Sequence, residues 1–203
     1  MQKLNQQPDI CPYFSPEFKV IPQYIIMKEG ECMELNNRTT SFFIFILSGE
    51  ITISFEQYTN RSVLENEMFF LPKNNCFKWK AVTQTVLILT GYNATIFPCT
   101  SVRARILYKI KAGVKFDCRG VVMKDEVKVV VNQMKHYLDS GINCHHMYIL
   151  KHKELYLMFK HFYTYEEIIQ IFYLILGSNP LFNERVLDNY LKVKTVKELA
   201  GLL

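Results

Sequence analysis

The sequence predicts an α+β protein in which an N-terminal antiparallel β-barrel precedes an α-helical subdomain. Residues 18–91 consist of short runs rich in β-branched and aromatic residues, separated by glycine, proline and asparagine turns. After about residue 100, apolar residues instead recur at the three- and four-residue spacing of helices. The chain has 203 residues, of which 49% are hydrophobic, so it can bury one substantial core.

Six runs in the first half are predicted to be strands. They cover residues 18–27, 42–47, 51–55, 68–71, 77–80 and 85–90. Strands of this length at nearly regular spacing are typical of a small antiparallel barrel or sandwich. Ile51, Ile53 and Phe55 alternate with polar residues, as one buried face requires. Residues 42–47 are apolar throughout, which predicts that both faces of this strand are covered.

The second half is predicted to contain several helices. The first, over residues 124–138, carries an apolar stripe of Val127, Val130, Val131, Met134 and Leu138. A second helix is predicted over residues 143–162. Thr164 and Glu167 then form a capping box that begins a helix ending before Gly177, and Asn179-Pro180 begins another that reaches about residue 190.

A final helix begins near the end of the sequence. Thr195 and Glu198 have the spacing of a capping box, and the remaining residues contain no glycine cap, basic last turn or proline that would end a helix. A helix this short is marginal without a packing partner. We therefore expect the sequence to be cut inside a further domain.

Composition excludes several classes of protein. No apolar run is long enough to span a membrane, and residues 1–12 lack the apolar centre of a signal peptide, which predicts a cytoplasmic protein with no membrane partner. The six scattered cysteines indicate small hydrophobic residues rather than disulfides or a zinc knuckle. A net charge of +5 is too weak to indicate nucleic-acid binding by itself.

The order of elements carries a family resemblance. A barrel and a helical connector are followed by the pattern Phe182-x3-Val186-Leu187-x2-Tyr190-x4-Thr195-Val-x-Glu198-Leu199-Ala200. This arrangement resembles the AraC family of bacterial transcription regulators, in particular its Bacteroides-type members. The resemblance implies that Thr195, Glu198, Leu199 and Ala200 belong to the first helix of a helix-turn-helix, whose recognition helix lies beyond residue 203.

The resemblance also implies a division of the chain and a set of partners. Residues 1–100 would form a regulatory barrel, residues 101–178 a connector that also serves for dimerisation, and residues 179–203 the start of the DNA-binding domain. The protein would bind DNA only through its missing C-terminal part, would form a homodimer, and would respond to a small-molecule effector.

The barrel itself resembles a cupin, a fold whose metal-binding members carry histidine and acidic ligands in two motifs. Here the acidic position falls on Phe42 and the last histidine position on Phe77. The two other histidine positions fall on Asn36 and Arg38, or on Leu35 and Asn37. Asn66 and Asn74 stand at glycine positions, and asparagine tolerates the left-handed backbone that glycine supplies. Because imidazole and carboxylate ligands are missing, the sequence predicts no metal, no cofactor and no enzymatic activity.

The predicted ligand pocket lies in the lumen of the barrel. Phe77 and Trp79 are two residues apart on one strand and therefore share a face. Ile44, Ile46 and Ser48 share that lumen if the residue before Gly49 points inward, unless a bulge shifts the register. Two interpretations remain open, because an effector pocket and a lumen filled by its own side chains have the same apolar sequence.

Three further features each have a functional and a structural interpretation. Cys144, His145, His146 and His152 are either a metal cluster or a polar helix start with partly exposed imidazoles. Lys109, Lys111 and Lys115 are either a phosphate-binding patch or a solvated loop. The stripe on residues 124–138 is either part of the core or a dimer seam.

Two other functions remain as alternatives to an AraC-like regulator. The first is a cupin enzyme that acts on a small molecule, although its metal ligands are missing. The second is a cyclic-nucleotide-type regulator, whose β-roll carries a turn similar to residues 47–50. That class needs an arginine to bind the phosphate, and residues 66–90 contain none.

Overall fold

The computed structural model describes residues 21–37, 40–56, 58–73, 75–92, 108, 117–142, 144–176, 193 and 195–202. The strands in these ranges are β1 (Gln23–Met27), β2 (Cys32–Asn37), β3 (Ser41–Ser48), β4 (Glu50–Phe55), β5 (Tyr58–Leu64), β6 (Glu67–Leu71), β7 (Asn75–Ala81), β8 (Thr85–Tyr92) and β9 (Val121–Val122). The helices are α1 (Asp125–Asp139), α2 (His145–Phe162), α3 (Tyr165–Leu176) and α4 (Val196–Leu202). The predicted α+β class is confirmed.

The strands form two antiparallel sheets. The five-stranded sheet has the order β1-β8-β3-β6-β9, and the four-stranded sheet has the order β2-β7-β4-β5. Among the described residues no strand pair joins the two sheets. The described part of the chain therefore contains two antiparallel sheets, here called the sandwich, as the predicted barrel or sandwich requires, and closure of the two sheets into a barrel is not seen in it.

Strand β3 lies at the centre of the five-stranded sheet and is covered on both faces. Phe43, Ile44, Phe45 and Ile46 are each at most 2% exposed. The ring centroid of Phe43 lies 5.8 Å from that of Phe159 on α2 and 6.2 Å from that of Phe172 on α3. The helices thus cover the outer face of this sheet, and the prediction of a strand with two covered faces is confirmed.

The four-stranded sheet has one buried and one exposed face. In β7, Phe77, Trp79 and Ala81 are buried, and the residues between them are exposed. Cys32 and Cys76 are also exposed, because both fall at outward positions, so these two free cysteines do not serve as small hydrophobic residues of the core. Two of this sheet's strands, β2 and β5, are absent from the sequence prediction.

The helices follow the predicted boundaries closely. The capping box of α3 is confirmed, because the Thr164 N–H donates to Glu167 Oε2 at 2.8 Å and the Glu167 N–H donates to Thr164 Oγ1 at 3.2 Å. No helix in the described ranges is long and apolar enough to cross a membrane. The predicted helix over residues 179–190, and Lys109, Lys111 and Lys115, lie outside the described residues.

Candidate functional site

The interior face of the four-stranded sheet holds the two predicted aromatic residues. Phe77 is fully buried and Trp79 is 2% exposed. Their neighbours across the strands are apolar, since Leu35 lies opposite Phe77 and Ile53 opposite Trp79. Side chains alternate along a strand, so both rings point away from the solvent-exposed face of this sheet.

Ile44 and Ile46 reach the same interior from the five-stranded sheet. Phe43 contacts the helices, and the two isoleucines alternate with it, so they face the other sheet. Ile44 lies opposite Phe69 on β6, and the Phe69 ring centroid lies 6.1 Å from that of Phe55 on β4. The two sheets therefore meet through aromatic and branched side chains.

Phe55 connects this interface to Phe77. The two ring centroids lie 4.8 Å apart. Ile44, Ile46, Phe77 and Trp79 thus line a packed layer between the sheets, as the interpretation of a filled lumen requires. A cavity of about 10 Å³ lies elsewhere, between β6 and α3, and has room for about one water molecule.

Ser48 stands apart from the other four pocket candidates. The pairing of β3 with β8 shifts register between Ile46 and Ser48. Ile46 lies opposite Leu87, whereas Ser48 lies opposite Val86, which is on the other face of β8. A bulge is thus present at this point, and because of it Ser48 does not share the interior face of Ile44 and Ile46.

One polar atom interrupts the apolar layer. Trp79 Nε1 is buried and has no hydrogen-bond partner among the described residues. A buried indole N–H usually finds an acceptor, so the Trp79 N–H has an unused capacity to donate a hydrogen bond.

The interior does not suit a catalytic metal. Phe77, at the position of a motif histidine, packs on Phe55, and Phe42, at the acidic position, is an apolar residue that packs on the core. Within the described ranges no group of three or more His, Cys, Asp and Glu side chains is arranged to hold a metal ion. Iron and zinc need nitrogen, oxygen or sulfur ligands that converge on one point, so the residues present do not fit either ion.

Two of the histidines of α2 differ from both sequence interpretations, whereas His146 is partly exposed as the polar helix start predicts. His145 is 8% exposed and His152 is 3% exposed, so neither is a partly exposed imidazole. The His152 Nε2 and Thr90 Oγ1 atoms lie 2.8 Å apart and form a hydrogen bond between α2 and β8. Burial, with a contribution from His145, lowers the pKa of His152 to about 4, so the ring is neutral at neutral pH.

The apolar stripe of α1 lies in the core. Val127, Val130, Val131 and Met134 are buried within the single chain, and Leu138 packs against the core. The stripe is therefore occupied by contacts within the chain. The same residues could form a dimer seam only if α1 left the core.

The residues assigned to the start of the DNA-binding domain are mostly exposed. The Glu198 N–H donates to Thr195 Oγ1 at 3.2 Å, which is half of the predicted capping box. Val196 is 83% exposed and Ala200 is exposed, whereas Leu199 is partly buried. Helix α4 therefore begins as predicted, and among residues 196–201 only Leu199 is partly buried.

Comparisons with known proteins identify no family for this chain. No family model matches it, and no curated protein matches it. Among solved structures it is similar to a conserved protein of unknown function from Streptococcus pyogenes, with a TM-score of 0.33 and 19% identity over 36% of this chain and 62% of that one.

Two other similar structures are named as cupins. The cupin domain of Schizosaccharomyces pombe Cnp3 has a TM-score of 0.33 and 18% identity, over 37% of this chain and 53% of that one. A cupin superfamily protein from Desulfitobacterium hafniense has a TM-score of 0.32 and 16% identity, over 36% of this chain and 66% of that one. In all three cases the match covers less than two thirds of the other protein.

Proposed function

We propose that this chain is the effector-sensing or dimerisation part of an AraC-like transcription regulator and that it is not an enzyme. The sandwich and α1–α3 would form the regulatory unit. A domain that follows α4 would bind DNA, and a homodimer would present two such domains to the two half-sites of an operator.

One observation carries this proposal. Helices α2 and α3 share a continuous core with the sandwich, whereas none of residues 196–201 of α4 belongs to that core and Val196 is 83% exposed. A regulator of this type needs a compact sensing unit and a C-terminal helix that belongs to the next domain. The order of elements and the Thr195 cap agree with the sequence resemblance.

The interior between the sheets is the proposed effector site. Ile44, Ile46, Phe77 and Trp79 would surround an apolar ligand, and Trp79 Nε1 would donate a hydrogen bond to it. The layer is packed, so binding would require the sheets to separate. Trp79 is the only tryptophan in the sequence, so its fluorescence reports on this site alone.

The test is a fusion of the whole chain to a DNA-binding domain that occupies its operator only as a dimer. We expect the fusion to repress an operator of two half-sites more strongly than the DNA-binding domain alone, with a further change when an effector binds. A fusion that carries Lys78→Ala, on the exposed sheet face, is the matched control and should repress equally.

Two results would contradict the proposal. The first is a chain that sediments as a monomer and a fusion that confers no repression, both in the absence of ligand and in the presence of each member of a panel of sugars and cyclic nucleotides. The same panel is screened for quenching of Trp79 fluorescence. The second is one tightly bound metal ion per chain in the purified protein together with turnover of a small molecule, which would support the enzyme alternative.

A further inference from the structure

Tyr163 joins two junctions that are distant in sequence. It lies between α2 and α3 and is 6% exposed. Its hydroxyl donates a hydrogen bond to the Val122 carbonyl oxygen at 3.0 Å and accepts one from the Lys124 N–H at 2.8 Å. A single side chain therefore fixes the backbone on both sides of Met123, where β9 passes into α1.

Lys124 adds a second link to the same point. Its Nζ lies 3.1 Å from Glu167 Oε1 and 5.5 Å from the ring centroid of Tyr163. Burial by itself raises the pKa of Glu167, but hydrogen bonds from the Thr164 N–H and from Lys124 hold that pKa below its ordinary value. Glu167 is thus a carboxylate that caps α3 and pairs with Lys124 at the same time.

The other side of this junction is bonded to the sandwich. The Met123 N–H donates to the Asn66 carbonyl oxygen at 2.7 Å, and the Asn66 N–H donates to the Ile46 carbonyl oxygen at 2.9 Å. Asn66 has a φ of +62°, the left-handed conformation expected at its glycine-like position between β5 and β6. Ile46 belongs to β3 and faces the interior between the sheets.

We propose that Tyr163 is a conformational strap that couples the start of α3 to the β5–β6 turn and, through that turn, to β3. The path runs from Ile46 through Asn66 and Met123 to Tyr163, and each step is a hydrogen bond or a neighbour in the chain. A displacement of β3 that moves Asn66 also moves the β9–α1 junction, and the strap carries the movement to α3.

The strap exists independently of any function, but its use in signalling rests on the proposed function. Helix α3 precedes α4 and the residues assigned to the DNA-binding domain in the sequence. Separation of the sheets around an effector would shift Ile46 and, through the strap, change the direction of α3. In this way occupancy of the interior would alter the placement of whatever follows α3.

Hydrogen exchange on the whole chain tests the strap. Tyr163→Phe removes only the hydroxyl, and we expect the amides of Lys124, Thr164 and Glu167 to exchange about tenfold faster together. Tyr148→Phe is the matched control, because its hydroxyl donates to the Ile142 carbonyl oxygen at 2.7 Å in the α1–α2 turn. The control should accelerate exchange around Ile142 and leave Lys124 and Thr164 unchanged.

A second pair of variants distinguishes coupling from local support. Asn66→Ala strains the left-handed backbone and should also accelerate exchange at Thr164 and Glu167. When Tyr163→Phe is already present, adding Asn66→Ala should cause no further acceleration at these two residues. If Asn66→Ala prevents folding, Asn66→Gly serves instead, because it keeps the left-handed backbone while loosening the β5–β6 turn, and it should also accelerate exchange at Thr164 and Glu167. An Asn66→Ala effect confined to the β5–β6 turn, or a Tyr163→Phe effect confined to Lys124, would overturn the proposal. These measurements use no DNA, so their failure is distinct from failure of the repression test.

Discussion

The two sheets of the sandwich differ in how many of their faces are buried. In the five-stranded sheet, residues 43–46 of β3 are buried consecutively, because the other sheet covers one face and the helices cover the opposite face. In the four-stranded sheet, β7 alternates between buried residues and exposed ones such as Lys78 and Lys80. Both strands have the same extended backbone, but β3 is a continuous apolar run and β7 alternates between apolar and polar residues. The difference arises because helices cover the outer face of one sheet and not of the other.

This difference predicts where the stability of the fold is concentrated. A residue on the outer face of the five-stranded sheet supports both the sandwich and the helices. A residue on the outer face of the four-stranded sheet supports neither. Substitutions on the two faces should therefore differ widely in their effect on the free energy of unfolding.

The largest expected effect is that of Phe43→Ala. The Phe43 ring packs against Phe70, Phe159 and Phe172, so its removal leaves a cavity between the sheet and the helices. We expect a loss of about 3–5 kcal/mol in the free energy of unfolding. Urea titrations followed by Trp79 fluorescence and by helical circular dichroism should show both transitions shifting together. A shift of the helical signal alone would mean that the two layers unfold independently.

Acid should destabilise the covered sheet through His152. Its pKa is about 4 in the folded chain and 6.5 for the ordinary group, so the unfolded chain binds the proton first as the pH falls. The free energy of unfolding should therefore be highest above about pH 6.5 and decline by about 3 kcal/mol as the pH falls towards 4. Urea titrations at several pH values measure this decline.

A double variant isolates the contribution of His152. Thr90→Val combined with His152→Leu replaces both hydrogen-bond partners by apolar groups and leaves no unpaired polar atom. The decline between pH 6.5 and pH 4.5 should be much smaller in this variant. An unchanged slope would show that other groups cause the acid sensitivity.

An intermediate effect is expected at Gly49, in the turn that passes from one sheet to the other. Its φ is +85°, and a Cβ would lie only 2.4 Å from the Gln84 carbonyl oxygen. Gly49→Ala should therefore cost at least about 2 kcal/mol, since the strain of the left-handed backbone adds to the clash. Gly30→Ala is the control, because its φ is +78° but no atom lies within 4 Å of the added Cβ. Equal losses at the two sites would contradict the steric part of this argument.

The smallest effect is expected on the exposed face. Lys78 Nζ lies 3.8 Å from Glu34 Oε2, and both side chains are more than half exposed. Lys78→Ala should change the free energy of unfolding by less than about 0.5 kcal/mol. A loss comparable to that of Phe43→Ala would show that this face is covered in solution, for example by a second copy of the chain.

Much of the fold follows from local patterns. Residues 42–47 predicted a doubly covered strand, and the Thr164–Glu167 spacing predicted the start of α3, because both signals depend only on neighbouring residues. Strands β2 and β5 were missed because half of CMELNN and most of YTNRSVL is polar. Both lie at the edges of the four-stranded sheet, where pairing with a neighbour compensates for weak strand propensity.

The candidate site was predictable only in part. Phe77 and Trp79 share a face by strand geometry alone, as the sequence indicated. The position of Ser48 was not predictable, because a bulge between Ile46 and Ser48 changes which face the side chain occupies and leaves no clear sequence signal.

The sequence by itself determined the α+β class, the change from strand to helix spacing, the helix starts and the absence of metal ligands at the cupin motif positions. These are properties of residue type and short-range spacing. The tertiary structure alone decided which sheet the helices cover, that His152 is buried against Thr90, and that Tyr163 bonds to Val122 and Lys124. Such contacts join residues 39 or more positions apart, and their geometry depends on packing of the whole core rather than on any local pattern.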